Sequence, residues 1–303
     1  MKRTFYSNGK LLITGEYLVL DGAKALALPT KFGQNLIVEK GNNQQIKWTS
    51  YDADGSIWFD EIILISDITS TNSVEEESVK NTLIKILRSA YQLNPELFLN
   101  CEGYTIKTHL TFPRKWGLGT SSTLINNIAQ WFKIDAFTLL RNSFGGSGYD
   151  IACAQNDTPI LYHLEQEKPI VEKVKFNPAF SNNLYFVYLN QKQSSKNAIA
   201  SYKEKKNNLE TQKQTINQIT QSVLTSENIN TFSDLLEDHE KTLSTILETK
   251  TIKESLFPDF DGTIKSLGAW GGDFVLVISK ENPRSYFLNK GYETVIPYSE
   301  MIL

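Results

Sequence analysis

The stretch that decides the fold reads PRKWGLGTSS at residues 113–122. Residues 104–112 before it alternate as in a β-strand, and residues 121–132 after it have a helical composition. Gly117 and Gly119 allow backbone N–H groups to turn inward, and the start of the following helix adds unpaired donors with partial positive charge. The segment is therefore a candidate phosphate-binding loop. An ordinary turn followed by a helix N-cap is the alternative.

Three hydroxyl residues, Thr120, Ser121 and Ser122, follow the second glycine. Each can cap the helix, and one of them can ligate a magnesium ion that is bound to phosphates. The segment is not a Walker loop, because no lysine precedes the Ser-Thr positions, and it lacks the third glycine of a dinucleotide fingerprint.

Composition excludes several classes of protein. The 303 residues are 40% hydrophobic, which is enough for a large core, and 31 basic against 34 acidic residues give a net charge of -3. Such a balance predicts no nucleic-acid partner. Two cysteines and three histidines favour neither a zinc site nor a disulfide framework. Without a signal peptide or an apolar run of about 18 residues, we expect a soluble cytoplasmic protein with no membrane contact.

Hydrophobic patterns predict a mixture of strands and helices in both halves of the chain, and hence an α+β protein with two lobes and a boundary near residues 165–182. Residues 10–20 and 36–48 are predicted as strands, with turns at residues 21–22 and 41–43, and further strands are predicted at residues 184–189, 274–278 and 292–296. Helices are predicted at residues 75–91, as two helices within 196–250, and as a further helical piece after Pro258.

Two more glycine-bearing segments read GAWGGD at residues 268–273 and GGSGYD at residues 145–150. The first permits close backbone approach to a ligand, or is simply a hairpin turn. The second places Asp150 at or near a helix start, where an N-cap role would suffice to explain it.

These segments occur together with GKLLITGEYLVLDG at residues 9–22. In this combination the chain resembles the GHMP kinases, the superfamily of galactokinase, homoserine kinase, mevalonate kinase and phosphomevalonate kinase, and more particularly the mevalonate and phosphomevalonate arm. The first family motif matches residues 9–29, the second 113–122 and the third 265–273, in the family's order and spacing.

The resemblance implies a two-lobed α+β kinase fold. It implies an N-terminal lobe over residues 1–170 with a left-handed β-α-β crossover, and a ferredoxin-like C-terminal lobe over residues 171–303. The crossover is expected from the resemblance alone, because the general handedness rule predicts the opposite.

The resemblance also implies the residues of the site. The second motif would line the phosphates of ATP with Gly117, Leu118, Gly119, Thr120, Ser121 and Ser122. Ser121 would be the Mg²⁺ ligand. The third motif would support this loop and the acceptor substrate through Gly268, Ala269, Gly271 and Gly272.

The family's lysine falls on Lys10, and the catalytic aspartate of its mevalonate kinase arm falls on Asp150. Phosphoryl transfer depends mainly on positioning and on neutralising charge. Asp150 is thus expected to accept the proton of the acceptor hydroxyl, while Lys10 keeps Asp150 ionised and offsets phosphate charge. The alternative for Lys10 is a strand-edge lysine that faces water.

Other polar residues have two interpretations. Glu16 is either a buried carboxylate that organises the nucleotide or substrate site, or a salt-bridged strand residue. Ser194, with Lys192, Ser195 and Lys196, falls where phosphomevalonate kinases have a polar segment near the substrate. A helix N-cap at Ser194 or Ser195 would explain the same residues.

The chain departs from the family pattern at two tryptophans and at one missing carboxylate. Trp116 and Trp270 stand where small residues are usual, and they can stack on adenine, narrow the acceptor site, block the nucleotide or fill space between lobes. Residues 136–149 lack the glutamate that ligates magnesium in mevalonate kinases. Asp135 can substitute, or Ser121, phosphate oxygens and water suffice.

The resemblance therefore implies an ATP- and Mg²⁺-dependent phosphotransferase for a small anionic metabolite of the mevalonate pathway, acting as a monomer or homodimer. The alternatives are a non-catalytic nucleotide- or metabolite-binding homologue, an ATP-dependent decarboxylase, or a sugar kinase of the same superfamily.

Overall fold

The computed structural model describes residues 2–70, 78–99, 101–193, 195–205 and 209–303. The strands are β1 (Arg3–Leu12), β2 (Ala25–Lys40), β3 (Gln45–Tyr51), β4 (Ile57–Leu64), β5 (Gly103–Leu110), β6 (Ile160–Glu165), β7 (Lys168–Lys173), β8 (Leu184–Tyr188), β9 (Thr263–Ser266), β10 (Phe274–Ile278) and β11 (Val295–Pro297). The helices are α1 (Ile65–Thr69), α2 (Val79–Leu93), α3 (Thr120–Phe132), α4 (Ala136–Ser143), α5 (Tyr149–Ala154), α6 (Ser195–Lys205), α7 (Glu210–Thr225), α8 (Ile229–Leu247), α9 (Ile252–Leu256), α10 (Arg284–Asn289) and α11 (Tyr298–Met301).

The chain forms two compact units, and each is assembled from separate segments. Unit 1 contains Met1–Gly9, Phe32–Arg114 and Leu118–Gln155. Unit 2 contains Lys10–Lys31, Lys115–Gly117 and Asn156–Leu303. The division into lobes at residues 1–170 and 171–303 and the handedness of the crossover stay predictions.

Unit 1 has a sheet in the order β4-β3-β5-β2, in which β3 is parallel to β5 and the other pairs are antiparallel. Helix α2 is amphipathic, with Leu83, Ile84, Leu87 and Ala90 on its buried side. These side chains belong to one core cluster with residues of β3, β5, α3 and α4. Helix α3 is thus anchored by apolar side chains in the core of unit 1, and this fixes the position of its first turn within that unit.

Unit 2 contains the start of β2 paired with β6, and β6 paired with β7. A second sheet runs antiparallel in the order β11-β8-β10-β9. Strand β10 is buried along its whole length and β8 is nearly so, as expected of apolar strands with neighbours on both sides. Helix α8 packs on β9, where its Glu240 contacts Lys265 and Ser266, as described below.

Several sequence predictions are confirmed. The α+β class is correct, and the pair of predicted elements around residues 113–122 is present as β5 and α3. The helix predicted at residues 75–91 is α2, and it ends before Asn94. Residues 75–77 of that prediction lie outside the described residues.

Other predictions are wrong. The strand predicted at residues 10–20 ends at Leu12, because positive φ angles at Gly15 and Tyr17 turn the chain into a short 3-10 helix, Leu18–Asp21. In the described part of residues 195–250 there are three helices instead of two, and Asn228 caps the last of them. The helical piece predicted after Pro258 is the strand β9, which pairs with β10.

None of the helices within the described ranges is long and apolar enough to cross a lipid bilayer.

Candidate active site

The start of helix α3 is left open by its sequence. Its N-cap residue is Gly119, which has a φ of 101° and makes no side-chain capping hydrogen bond. A residue with a side chain is strained at this φ, so glycine is required here. The hydroxyls of Ser122 and Thr123 donate to the Gly119 carbonyl at 3.0 and 2.9 Å, and Ser121 is exposed. The predicted capping of α3 by Thr120, Ser121 or Ser122 is therefore wrong.

Other helices in the molecule do have side-chain caps. Ser78 caps α2, Asp135 caps α4 and Asn228 caps α8, each by accepting a backbone N–H of the first turn. The first amides of a helix have no acceptor within the helix. Without a cap, those of α3 point their partial positive charge outward, which is the arrangement that binds phosphate.

Asp150 lies at the start of α5. Gly148 is the N-cap, with a φ of 91° and no side-chain capping bond, so Asp150 is inside the helix as its second residue. Its Oδ1 atom accepts the N–H of Ile151 at 3.0 Å, and the residue is half-buried. The expectation that Asp150 is near a helix start is confirmed, and its interpretation as an N-cap is wrong.

Lys10, Gly117 and Asp273 come together in unit 2. The Lys10 Nζ atom donates to the Gly117 carbonyl oxygen at 3.0 Å, so this lysine is not a water-facing side chain of a strand edge. A Cβ atom at Gly117 would clash with the Asp273 carboxylate. Burial raises the pKa of Asp273, and the positive charges of Lys10 and Lys192 oppose that rise. The pairing of Lys10 with Asp150 stays a prediction.

Asp273 is a residue that the sequence argument missed. It is the last residue of the segment 268–273, and the backbone N–H of Gln193 donates to its Oδ1 atom at 3.2 Å. A carboxylate directly after a glycine cluster was the available signal.

The glycine segment at residues 268–273 is held by hydrogen bonds to its tryptophan, Trp270. The backbone N–H of Trp270 donates to the Tyr17 hydroxyl oxygen at 2.8 Å, and the Trp270 indole N–H donates to the Lys250 carbonyl at 3.2 Å. Trp116 packs edge-on against Phe274, with ring centroids 5.4 Å apart. Both indoles therefore have packing or hydrogen-bonding roles within unit 2.

Glu16 belongs to a buried ionic cluster, which consists of Glu16, His239, Glu240 and Lys265. Glu16 is 2% exposed, and its Oε1 atom accepts from the Lys265 Nζ atom at 2.6 Å, while Lys265 itself is fully buried. The Glu240 Oε1 atom lies 4.0 Å from the same ammonium group. Glu16 is thus both buried and salt-bridged, and it lies outside any strand, while its predicted role in organising a nucleotide or substrate site stays a prediction.

Burial dominates the protonation of this cluster. It raises the pKa of Glu16, against the attraction of Lys265, and it raises the pKa of Glu240 to about 8. Burial also lowers the pKa of His239, whose Nε2 atom accepts the Gly15 N–H at 2.9 Å. Near neutral pH, burial therefore favours a protonated Glu240 and a neutral His239 imidazole beside Lys265.

Sequence reasoning did not find His239, Glu240 or Lys265 as a group. They lie on α8 and β9, far along the chain from Glu16, and nothing in their local sequence indicates that they meet. Ser194 lies outside the described residues, as do the side chains of Ser195 and Lys196, so their predicted roles are untested.

The residues at α3 suit a magnesium ion that is held mainly by a nucleotide. Within the described residues, no three His, Cys, Asp or Glu side chains form a group that could hold a metal. The exposed Ser121 hydroxyl at the open start of α3 can supply one ligand. Since magnesium usually keeps several waters and phosphate oxygens, one protein ligand is compatible with binding.

Solved structures resemble this chain over nearly its whole length. Mevalonate kinase of Methanococcus jannaschii has a TM-score of 0.68 at 15% identity, covering 97% of this chain and 96% of that one. Streptococcus pneumoniae phosphomevalonate kinase, in complex with phosphomevalonate and AMPPNP, has a TM-score of 0.68 at 16% identity, covering 99% and 98%. Lactococcus lactis galactokinase, complexed with galactose, has a TM-score of 0.65 at 12% identity, covering 95% and 88%.

No protein-family model matches the sequence, and no curated protein sequence matches it either. The three structures are all GHMP kinases. This chain therefore has the GHMP kinase fold, as the order of its three glycine motifs predicted.

Proposed function

We propose that this protein is an ATP- and Mg²⁺-dependent kinase that transfers the γ-phosphate to a small anionic metabolite of the mevalonate or phosphomevalonate type. The observation that carries the proposal is the open start of α3, where Gly119 leaves the first-turn amides without a side-chain cap. On a GHMP kinase fold, a set of free amides at this motif is suited to a triphosphate.

The phosphate loop would hold the nucleotide mainly through its backbone. The amides of residues 117–122 are the donors, and the Ser121 hydroxyl would ligate magnesium together with phosphate oxygens. Magnesium, when bound, supplies neutralisation of phosphate charge. The phosphomevalonate kinase that shares this fold was solved with AMPPNP, an ATP analogue, which supports the choice of nucleotide.

Asp150 and Lys10 would carry the chemistry. Asp150 takes the proton from the acceptor hydroxyl as that oxygen attacks the γ-phosphorus, and the bond from the γ-phosphorus to the leaving oxygen of ADP breaks. Support comes from the position of Asp150 in the first turn of α5, since the partial positive charge there favours a carboxylate. Lys10 donates to the carbonyl of Gly117, the first residue of the proposed phosphate loop, which supports a role for its charge there.

An anionic acceptor is supported by the charged groups next to the third motif. Lys192 is exposed, and its positive charge reaches Asp273 at the end of that motif. Gly268, Ala269, Gly271 and Gly272 would line the acceptor side, with Ser194 as a further donor. An acidic substrate is preferred over a sugar because the motifs resemble the mevalonate and phosphomevalonate arm.

A non-catalytic nucleotide-binding protein is the second candidate. It is favoured by the absence of a carboxylate from residues 136–149 and by the large Trp116 side chain in the phosphate motif. Such a protein would bind ATP at α3 without turning it over.

One experiment separates these functions. ADP release is measured with mevalonate, phosphomevalonate, diphosphomevalonate, homoserine and simple sugars, and ATP binding with magnesium is titrated by tryptophan fluorescence. Turnover of one anionic acceptor supports the kinase. ATP binding without turnover of any compound supports the second candidate, and no ATP binding rejects both. Release of inorganic phosphate with loss of CO₂ from diphosphomevalonate would identify a decarboxylase instead.

A further inference from the structure

The turn that follows the first motif has an unusual backbone. Tyr17 has a φ of 63° and a ψ of -55°, and the Leu18 N–H donates to the Glu16 carbonyl at 2.7 Å. This is a γ-turn with a positive central φ, a conformation that is rare and strained for a residue with a side chain. Such strain persists only where the surrounding contacts enforce it, and it is concentrated at functional segments.

The side chains of Glu16 and Tyr17, in this turn, both contact the glycine segment at residues 268–273. Glu16 accepts from Lys265, which lies three residues before Gly268, and the Gly268 backbone N–H also acts on the Glu16 carboxylate. Tyr17 accepts the backbone N–H of Trp270 through its hydroxyl oxygen at 2.8 Å. The strained turn therefore contacts the glycine segment at its beginning and at its centre.

The rest of the buried ionic cluster holds the turn in place from the other side. His239 accepts the Gly15 N–H through Nε2, and Glu240 accepts the Ser266 N–H at 3.0 Å. Helix α8 thus fixes both the turn and the strand that leads into the glycine segment. The Tyr17 ring also packs on Tyr202, with centroids 5.4 Å apart.

We propose that Glu16 and Tyr17 are a pair of positioning residues, which preset the backbone of residues 268–272 for its substrate. This inference rests on the proposed function only in calling the bound molecule a substrate. The positioning of residues 268–272 is itself a property of unit 2. Neither residue needs to touch a ligand, and Glu16 at 2% exposure is too buried to do so. The Tyr17 hydroxyl is the more specific of the two groups, since it bonds to the segment's own backbone.

The test reads the conformation of the segment through Trp270. The protein is labelled with 5-fluorotryptophan, and the fluorine resonance of Trp270 is assigned by its loss in Trp270→Phe. Tyr17→Phe removes one oxygen atom and is expected to shift or broaden that resonance while those of Trp48 and Trp131, in the core of unit 1, stay in place. Tyr298→Phe is the matched control, because its buried hydroxyl bonds to Phe176 and not to the segment.

Two further variants separate positioning from stability. Glu16→Gln leaves Lys265 without its charged partner, so the melting temperature is expected to fall and the Trp270 resonance to change. In Glu16→Gln combined with Lys265→Met, the unpaired charge is gone, and we expect the melting temperature to recover while the resonance stays altered. An unchanged Trp270 resonance in Tyr17→Phe would overturn the proposal, and so would its full recovery in the double variant.

Kinetics add a readout that depends on the proposed function. If the parent protein turns over an acceptor, Tyr17→Phe should lower kcat/KM for that acceptor about tenfold, the effect of losing one hydrogen bond, with KM for ATP unchanged. If the parent shows no turnover, the proposed function fails, and the fluorine experiment still decides the positioning role.

Discussion

Two regions of this molecule differ in how their polar groups are paired. At the open starts of α3 and α5, the N-cap residues are glycines, which have no side chain to accept a backbone N–H. In the buried ionic cluster around Lys265, ionisable side chains from three segments are packed together out of water. A site for an anion needs groups that are still available, whereas a positioning element must occupy its own groups to become rigid.

The largest expected effect comes from removing one partner of the buried ionic cluster. Lys265→Met would leave the Glu16 carboxylate buried without a cation, and removal of one partner from such a pair typically costs about 3–5 kcal/mol. Chemical denaturation of the parent, the variant and the Glu16→Gln, Lys265→Met double variant measures it. Lys241→Met, which removes an exposed lysine on α8, is the control and should change stability by less than about 1 kcal/mol. Equal stability of Lys265→Met and the parent would contradict the role of this pair.

At the open starts of α3 and α5, a substitution is expected to reduce activity without unfolding the protein. Asp150→Asn should lower kcat by about a hundredfold or more, as expected when a general base is removed, while ATP affinity is kept. The ADP-release assay and the fluorescence titration measure the two quantities. Asp234→Asn, an exposed carboxylate on α8, is the control. Parent-like turnover by Asp150→Asn would reject Asp150 as the base.

The buried ionic cluster is also expected to make the stability of the protein depend on pH. The pKa of Glu240 is about 8 in the folded protein against 4.5 for the free side chain, so the folded state binds the extra proton between these values. Stability should therefore fall as the pH rises from 4.5 to 8, by up to about 1.4 kcal/mol per pH unit.

The groups that face Glu240 are Lys265, Glu16 and the Ser266 hydroxyl, with Glu16 and Lys265 acting in opposite directions on its pKa. Glu240→Gln should flatten the pH dependence, measured as the denaturation midpoint at each pH. Asp238→Asn, exposed on the same helix, should leave the slope unchanged. A parent whose stability is constant from pH 5 to 8 would show that Glu240 is not held protonated.

The smallest effect concerns the geometry of the open helix start. Gly119→Ala forces a side chain into a left-handed conformation, which should cost about 1–2 kcal/mol of stability and weaken ATP binding. Gly55→Ala is a close control, because Gly55 has a φ of 83° with open space around it. Its stability should fall by a similar amount while its ATP affinity stays that of the parent. Equal ATP affinity in both variants would separate Gly119 from the phosphate site.

Local sequence predicted the open region well. The strand, glycine turn and helix around residues 113–122 follow from the pattern of apolar, glycine and hydroxyl residues, and they are present as β5 and α3. The predicted capping of α3 by hydroxyls was wrong, since Ser122 donates to the Gly119 carbonyl instead, as does Thr123, which was not among the predicted residues. Sequence patterns report backbone preferences within a few residues, but they do not show which acceptor a hydroxyl will choose.

Errors were larger in unit 2. Residues 263–266 were predicted as part of a helical piece and form β9, because pairing with β10 outweighs a weak local preference. Residues 10–20 were predicted as one strand, yet the strained turn at Tyr17 interrupts them, and its conformation depends on partners in α8 and β9. Long-range contacts of this kind leave no periodic signal.

The glycine motifs, their order and the class of the fold could thus be read from the amino-acid sequence, because each depends on short-range backbone geometry or on a pattern that recurs in known kinases. The buried ionic cluster could not be, since Glu16, His239, Glu240 and Lys265 become a unit when folding removes them from water. Their charges interact strongly in that dry environment, whereas in the unfolded chain they would be solvated and far apart.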